Sequence, residues 1–599
     1  MNCTLKFFSI TCVAFALASC SGTTTHSTRP SPKPEPQQET LASLLERAQN
    51  TTDTRSTQWQ IEAAEIALAK KQWPLLRALV SQINQTDLTP SLTIKLALIN
   101  SSLQQHDNNH ATALAALNSP AAKLASQTVS NELASAYLWQ LASVQAKLGN
   151  IQPALDSLIL REELISPSAA PANHQQIWRL LLLLTKPQIE SLISNTNSVK
   201  LLGWLELASI YRDGDADVTL QADSLSAWQQ RWPDHAANKD LPGGLKKLQQ
   251  AAENLPKRVL VALPTSGPLG IVGQTLRDGI LFAYWRQKGA GLPTPQLTFI
   301  DSHPLDSDAI INIARDNDIL IGPFDKNKAS SIATRANELP KTLLLNVVND
   351  QPLSDNLISF GLNPEDEAAQ IADRAILESG ARALIIAPNN ALGDRLQGAF
   401  VNRWLELGGT ISESGRYEDG RDISNTIKTA LNIDKSEMRK RRLALNTGLS
   451  LQFEPRRRAD IDMAAIFGKP QEARSISPLF AFHFAEDIPL YTSSMAYSGE
   501  VDATADKDLE GVRFNDIPWL FDQAIENPEL QNVRFRRLFA LGIDAYRLHQ
   551  RFDLLTPESG MEFSGATGTL RLNQERQIVR SLDWAEFSNG LAKPIPAIQ

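Results

Sequence analysis

Cysteine is nearly absent: the 599-residue chain carries it only at positions 3, 12 and 20. Whatever folds beyond residue 20 holds together without disulfides and offers no stray thiol, which suits an oxidising compartment where thiols cross-link. Disulfides are also unnecessary at this length, since the chain can build several cores of ordinary domain size. The usual enzymatic signatures are missing as well. There is no H-E-x-x-H, no G-x-S-x-G and no Lys-Thr-Gly, and no serine stands three residues before a lysine. A lone Ser354-Asp355-Asn356 therefore stands without the partners of a penicillin-reactive site. The loop Gly267-Pro268-Leu269-Gly270-Ile271-Val272-Gly273 has G-x-x-G-x-x-G spacing rather than G-x-G-x-x-G. Its proline removes an amide that a pyrophosphate needs, and no Gly-Lys-Ser or Gly-Lys-Thr follows, which argues against nucleotide sites of both kinds. No cofactor is implied. A formal net charge of −8 argues against nucleic acid as a partner.

The N-terminus carries a short polar start with one cation, Lys6, and then an apolar run from Phe7 to Leu17 broken only by Ser9 and Thr11. That is the form of a secretory signal, and it is too short to cross a hydrocarbon core of about 30 Å, which needs roughly 20 helical residues. Leu17-Ala18-Ser19-Cys20 resembles a bacterial lipobox, so residues 1–19 read as a lipoprotein signal peptide and Cys20 as the lipidated residue. An ordinary cleaved signal is the alternative. Ser21, where an aspartate would favour the inner membrane in enterobacterial-type sorting, points by resemblance to the outer membrane, facing the periplasm. Residues 20–40 then form a linker rich in Pro, Ser and Thr, with prolines at 30, 32, 34 and 36.

From residue 41 to about 255 the apolar residues recur at helical spacing with no alternating runs. One helix pair breaks at Lys71-Gln72-Trp73-Pro74; another breaks at Gly149-Asn150 and continues through Pro153-Ala154-Leu155. The second turn resembles that of a tetratricopeptide repeat, where glycine lets two helices approach and alanine packs between them. The repeat of about 34 residues is not kept, so the segment is expected to be a degenerate, all-α solenoid of helical pairs, with a compact bundle as the alternative. Tryptophans 59, 73, 139, 178, 204, 228 and 232 are expected to fill its core. His106 and His110 have metal-like spacing but flank an Asp107-Asn108-Asn109 loop, which favours a surface pair.

Near Lys257 the pattern changes. Arg258 to Leu263 is a buried-strand run, followed by a loop and a helix beginning near Gly273. Strand-like runs at 297–301, 319–322, 343–347, 357–361 and 384–387 alternate with helical stretches, which predicts parallel sheets covered on both faces. The best-marked helix is Pro364 to Glu378, with Asn363 as N-cap and Glu365, Asp366 and Glu367 in its first turn. About ten strands are too many for one simple sheet, so residues 257–599 are expected to form two linked α/β lobes with a cleft between them.

Three stretches carry a more specific resemblance. The strand-loop-helix at 258–285, the helix containing Leu541-Gly542-Ile543-Asp544-Ala545-Tyr546, and the hairpin-like Phe563 to Leu570 with Arg580 to Phe587 look like the type I periplasmic-binding-protein fold. Together with Glu454 to Met463, Asp487 to Ser494 and Leu509 to Trp519, they resemble the LpoA family of outer-membrane lipoproteins. The resemblance implies a non-enzymatic regulator of peptidoglycan synthesis. Such a protein is anchored in the outer membrane by its lipidated N-terminus, binds a class A penicillin-binding protein through its C-terminal domain and stimulates transpeptidation.

Candidate contact and ligand residues follow. Arg456-Arg457-Arg458 is a candidate partner contact, since arginine pairs well with carboxylates, and local pairing with Asp460 and Asp462 is the equally weighted alternative. A second basic run, Arg439-Lys440-Arg441-Arg442, offers the same choice with Asp434 and Glu437. Ser266, Asp301, Asn346, Asn349 and Asn389 are polar groups at strand ends that could line an interlobe cleft, with solvated turns as the alternative; Ser266 and neighbouring amides could also hold a small anion. Three classes of function remain at this stage: a tethered activator of a wall synthase, a lipoprotein receptor for a small solute, and an enzyme of unrecognised type.

Overall fold

The computed structural model describes residues 41–596, apart from 52–53, 185, 214–216, 243, 349–351, 451, 522–532, 534 and 558–561. The expected signal peptide, Cys20, the linker and Asn349 lie outside the described residues.

Helices occupy the chain as far as Glu253, and the first strand starts at Arg258. Packing divides the molecule elsewhere, into one compact unit ending at Val129 and a second from Ser130 onward. In the first unit the helices Thr54–Ala69 and Trp73–Gln82 form the expected pair around Lys71, which takes a φ of 54° to make the turn. Pro90 and Pro120 each open a helix behind a capping hydroxyl, Thr89 and Ser119, as suits a residue with fixed φ and no amide to satisfy. Ile61, Ala64, Leu76, Ile99 and Leu103 make the core.

The second unit begins with the helices Asn131–Lys147 and Ile151–Arg161. Gly149 between them has φ of 75°, but a Cβ placed there would meet nothing within 4 Å. Its role is the left-handed turn and not the close helix approach expected of it. Ala154 is fully buried between the helices, as expected. Trp178, Trp204 and Trp228 are core residues, while Trp59, Trp73 and Trp232 pack at core edges. Trp139 departs from expectation: it is 36% exposed, and the Arg161 guanidinium lies over its ring at 4.7 Å.

Two parallel sheets follow. The first contains β1 (Arg258–Leu263), β2 (Gln296–Asp301), β3 (Ile319–Ile321), β4 (Lys341–Leu344) and β5 (Leu357–Ser359) in the order β2-β1-β3-β4-β5. The second repeats that order in β7-β6-β8-β9-β10, from β6 (Arg382–Pro388), β7 (Thr410–Tyr417), β8 (Met463–Ile466), β9 (Leu490–Thr492) and β10 (Arg513–Asp516). β14 (Asp583–Ser588) and β15 (Leu591–Ile595) extend it as antiparallel strands. A third sheet joins β11 (Glu562–Gly565), β12 (Gly568–Leu572) and β13 (Ile578–Ser581). The described residues thus hold fifteen strands rather than about ten, many of them too short to show a pattern.

The apolar runs are continuous because each strand feeds two cores. Val259, Val261 and Leu263 face one cluster while Leu260 and Ala262 face another. Leu384 and Ile386 likewise oppose Ala383, Ile385 and Ala387. The helix Pro364–Glu378 has its predicted bounds, although Asn363 does not cap it with its side chain and instead donates to Asp366 Oδ1 at 3.1 Å. The helix after β1 starts at Gly270 rather than Gly273, directly behind a short turn at Gly267–Leu269.

The order of the described elements takes the chain between the lobes three times: after β5, after β10 and between β13 and β14. The second passage leads to the helix Arg536–Arg551, which lies against Gly270–Gly289 in the first lobe. That contact is glycine to backbone. A Cβ on Gly279 would sit 2.1 Å from the Phe539 carbonyl oxygen, and one on Gly542 2.3 Å from that of Leu276. The helices of residues 130–255 are joined to the same lobe by polar bonds. Arg551 donates to Gln221 at 2.8 Å, Gln287 to Asp217 at 2.7 Å, and the Glu562 amide to the Tyr211 hydroxyl at 2.8 Å, while Leu554 enters the helical core.

Candidate functional site

The separate stretches that carry the family resemblance meet in space. Asp544, buried on its helix, receives the amides of Ala566 and Thr567 at 2.7 Å each. β10 pairs with β14, setting Arg513 opposite Glu586, which it binds at 2.8 Å. The same guanidinium reaches Glu378 at 2.9 Å, where Tyr491 also donates at 2.7 Å. Burial opposes ionisation of Glu378, yet bonds from Arg374 and Tyr491 hold its carboxyl below the ordinary range.

Charged groups also line the passages between the lobes. Glu367, on the first turn of Pro364–Glu378, is buried and accepts the Ser494 hydroxyl at 2.7 Å and its amide at 3.2 Å. The fully enclosed Arg580 of β13 lies 3.7 Å from it. Burial pushes the Glu367 carboxyl up, against the pull of Arg580. On the return passage Arg537 binds Asp516 through Nε at 2.8 Å and reaches the carbonyl oxygens of Ser494 and Tyr497.

The candidate cleft residues fall into separate settings. Asp301 accepts the amides of Thr265 and His303 at 3.0 Å each, and a bond from Ser266 chiefly holds its carboxyl below the usual range. Ser266 and Asp301 thus close a turn on each other. Asn346 donates to the Phe324 carbonyl at 2.9 Å and lines a cavity of about 460 Å³ with Lys326 from the first lobe and Asn363, Glu365 and Arg395 from the passage and second lobe. Asn389 directly follows β6, where its amide donates to the Tyr417 carbonyl at 2.7 Å and its side chain lies 3.4 Å from Glu418. Of the four, Asn346 alone lines that cavity.

The arginine triplet is divided in use. Arg458 binds Asp460 at 2.7 Å and Glu413 at 3.0 Å, and the first of these bonds draws the Asp460 carboxyl down to about 2. Arg457 binds Asp487 and the Phe484 carbonyl. Asp462, expected among the triplet's partners, binds Arg382 instead. Arg456 is exposed, and its backbone amide donates to the Ser436 hydroxyl at 3.1 Å. The basic run Arg439–Arg442 lies on the exposed helix Ile433–Thr447; its expected partner Glu437 is held by Lys428 at 2.7 Å. Sequence reasoning missed the apolar residues interleaved with those cations; a helical projection of 433–449 would have shown them.

His106 ends one helix and His110 begins the next, as the loop reading expects, and His106 stacks on Trp73 at 4.1 Å. Among the described residues no group of three or more His, Cys, Asp or Glu is placed to hold a metal, and no helix is long and apolar enough to cross a membrane.

Comparison with known proteins gives a consistent set of relatives. The family model described as LppC putative lipoprotein matches residues 35–590. A Vibrio antiquarius protein named penicillin-binding protein activator LpoA is 26% identical over 593 residues, covering 96% of both chains. Its Vibrio cholerae namesake is 26% identical over 580 residues, covering 91% of this chain and 92% of its own. Among solved structures, LpoA of Haemophilus influenzae superposes with a TM-score of 0.58 at 21% identity, over 94% of this chain and 99% of that one.

Proposed function

The chain belongs to the LppC lipoprotein family, and from that premise we propose that it is an outer-membrane-anchored regulator that binds a class A penicillin-binding protein and stimulates its transpeptidase activity. The observation that carries the reading is the extent of the match: relatives named as penicillin-binding protein activators align along nearly the whole chain. The anchor is Cys20, lipidated after removal of residues 1–19, with the folded units on the periplasmic side. The C-terminal lobes contact the synthase, and the chain itself performs no chemistry.

The test is peptide cross-linking by a purified class A penicillin-binding protein from the same source, supplied with lipid II, with and without the chain from Ser21 onward. Cross-linking should rise several-fold when the chain is present. An unchanged level across saturating concentrations would remove the activator reading.

The interlobe cavity favours one second reading, a receptor for a small solute. Lys326 at its wall, beside Asn346, suits a solute carrying a carboxylate, while Arg395 there is held by Glu365. Ser266, Asp301 and Asn389 would join such a site only if the lobes closed. Tight binding at about 100-fold saturation would add about 2.7 kcal/mol to stability, so a thermal-shift screen of amino acids and small peptides separates the two readings.

A further inference from the structure

The helix Ile433–Thr447 differs from the rest of its lobe. It buries only Ile433 and Ser436 and presents its remaining surface to solvent or to partial cover. Lys435, Arg439 and Arg442 stand at i, i+4 and i+7, a spacing that aligns them along one outward stripe. Met438 and Leu445, seven residues apart, form a parallel apolar edge and are 56% and 85% exposed. Leu443 lies on the opposite edge at 53%.

The charges on this helix are also unusual. Four arginines elsewhere in the lobe are tied to carboxylates: Arg382 to Asp462, Arg395 to Glu365, Arg403 to Asp373, Arg474 to Asp506. Among the described residues, Lys435, Arg439, Arg441 and Arg442 form no ion pair. A protein of net charge −8 thus concentrates an excess of positive charge on one helix, where Lys435, Arg439, Lys440, Arg441 and Arg442 outnumber Asp434 and Glu437, and alternates it with bare leucine and methionine. Solvation alone accounts for the cations but not for apolar side chains beside them, whereas a protein interface uses both. Arg456, also exposed, is tied to the inward side of this helix by its backbone amide, which donates to the buried Ser436 hydroxyl at 3.1 Å.

We propose that the outward face of Ile433–Thr447 is the surface that docks on the synthase, and that the partner's matching surface is acidic with an apolar centre that receives Met438 and Leu445. This rests on the reading of the chain as a binding partner of a class A penicillin-binding protein. Arginine forks give the carboxylate contacts direction, and the opposed fields speed encounter.

The experiment uses the full chain from Ser21 onward and the purified synthase. Three variants are compared with wild type: R439E/R441E/R442E, Leu445→Ser, and the control K70E/K147E/K239E, which makes an equal charge change at exposed lysines elsewhere. Wild type and control should bind alike, while each helix variant should weaken Kd by about 10-fold or more at an unchanged thermal midpoint. Wild-type affinity should also fall as salt rises from about 50 to about 300 mM, and the triple arginine variant should lose most of that dependence. Leu445→Ser, at a residue almost fully in water, keeps the test valid if charge reversal disturbs folding. Wild-type binding by both helix variants would overturn the proposal and leave the activator reading intact. Failure of wild type itself to bind or stimulate would remove that reading, and the proposal with it. If the helix variants instead lose self-association, co-sedimentation with wall sacculi or attachment to anionic vesicles while synthase binding persists, the face serves that other occupant and the proposal is overturned.

Discussion

Asp544 accepts both the backbone amide and the hydroxyl of Thr567, at 2.7 and 2.6 Å. With the Ala566 amide, three donors from one buried turn depend on one carboxylate. Asp544→Ala leaves them without an acceptor and away from water, at a cost of about 3 kcal/mol. The expected result is a lower thermal midpoint and faster amide exchange across 562–572. Thr567→Val removes a single bond and should cost about 1 kcal/mol. Equal effects of the two variants would contradict this account.

His549 is enclosed beside the Tyr546 carbonyl, and burial depresses its pKa to about 4. An unfolded histidine takes a proton near pH 6.5 that the folded one refuses. Stability from this group is therefore complete above about pH 6.5 and declines as pH falls towards 4, by at most about 1.4 kcal/mol per pH unit. Burial shifts His235 and His483 the same way. His549→Gln should flatten part of the decline between pH 7 and 5, measured by thermal midpoints at both values. An identical slope in the variant would count against the assignment.

Glycine replacements should separate packing from propensity. Gly542→Ala and Gly279→Ala drive a methyl into the facing helix backbone and should each cost about 3 kcal/mol, the upper end of ordinary overpacking. Gly398, within the helix Ala391–Glu406, has nothing within 4 Å of its prospective Cβ. Gly398→Ala should stabilise by up to about 1 kcal/mol. Denaturant unfolding of the three variants checks both signs.

Glu367 and Arg580 should be coupled. Glu367→Gln leaves a buried guanidinium with less compensation and should cost about 3 kcal/mol. Arg580→Met in the Glu367→Gln background should recover part of the loss, because the uncompensated charge is then gone. Simple addition of the two single effects in a double-mutant cycle would show that the groups do not interact.

Much of the fold could be read from sequence where local chemistry and tertiary structure agree. Pro364, with acidic residues behind it, marked a helix start that the fold keeps, and the five-residue apolar run of β1 needed two covered faces to make sense. What escaped reading depends on distant partners. The division at 129/130 arises because Asp217, Gln221 and Tyr211 bind residues up to 351 positions away, and single polar letters carry no period. Arg458 pairs two positions along, within reach of inspection, whereas the partner of Arg457 is thirty away. Trp139 looked like core because tryptophan usually is; the side chain covering it is a cation from the next helix.

The joint between the helices of 130–255 and the first lobe has a mechanical consequence. Gln221, Asp217 and Tyr211 fasten that joint from three directions, and Leu554 plugs it. Swivelling there would break three hydrogen bonds and unseat a buried leucine, so a large movement within this unit costs less at the three passages between the lobes. The pointing direction of Ile433–Thr447 relative to the helices then follows the setting of one lobe against the other. A distance measured between one label on that helix and one on Asn131–Lys147 would report the setting of the whole unit.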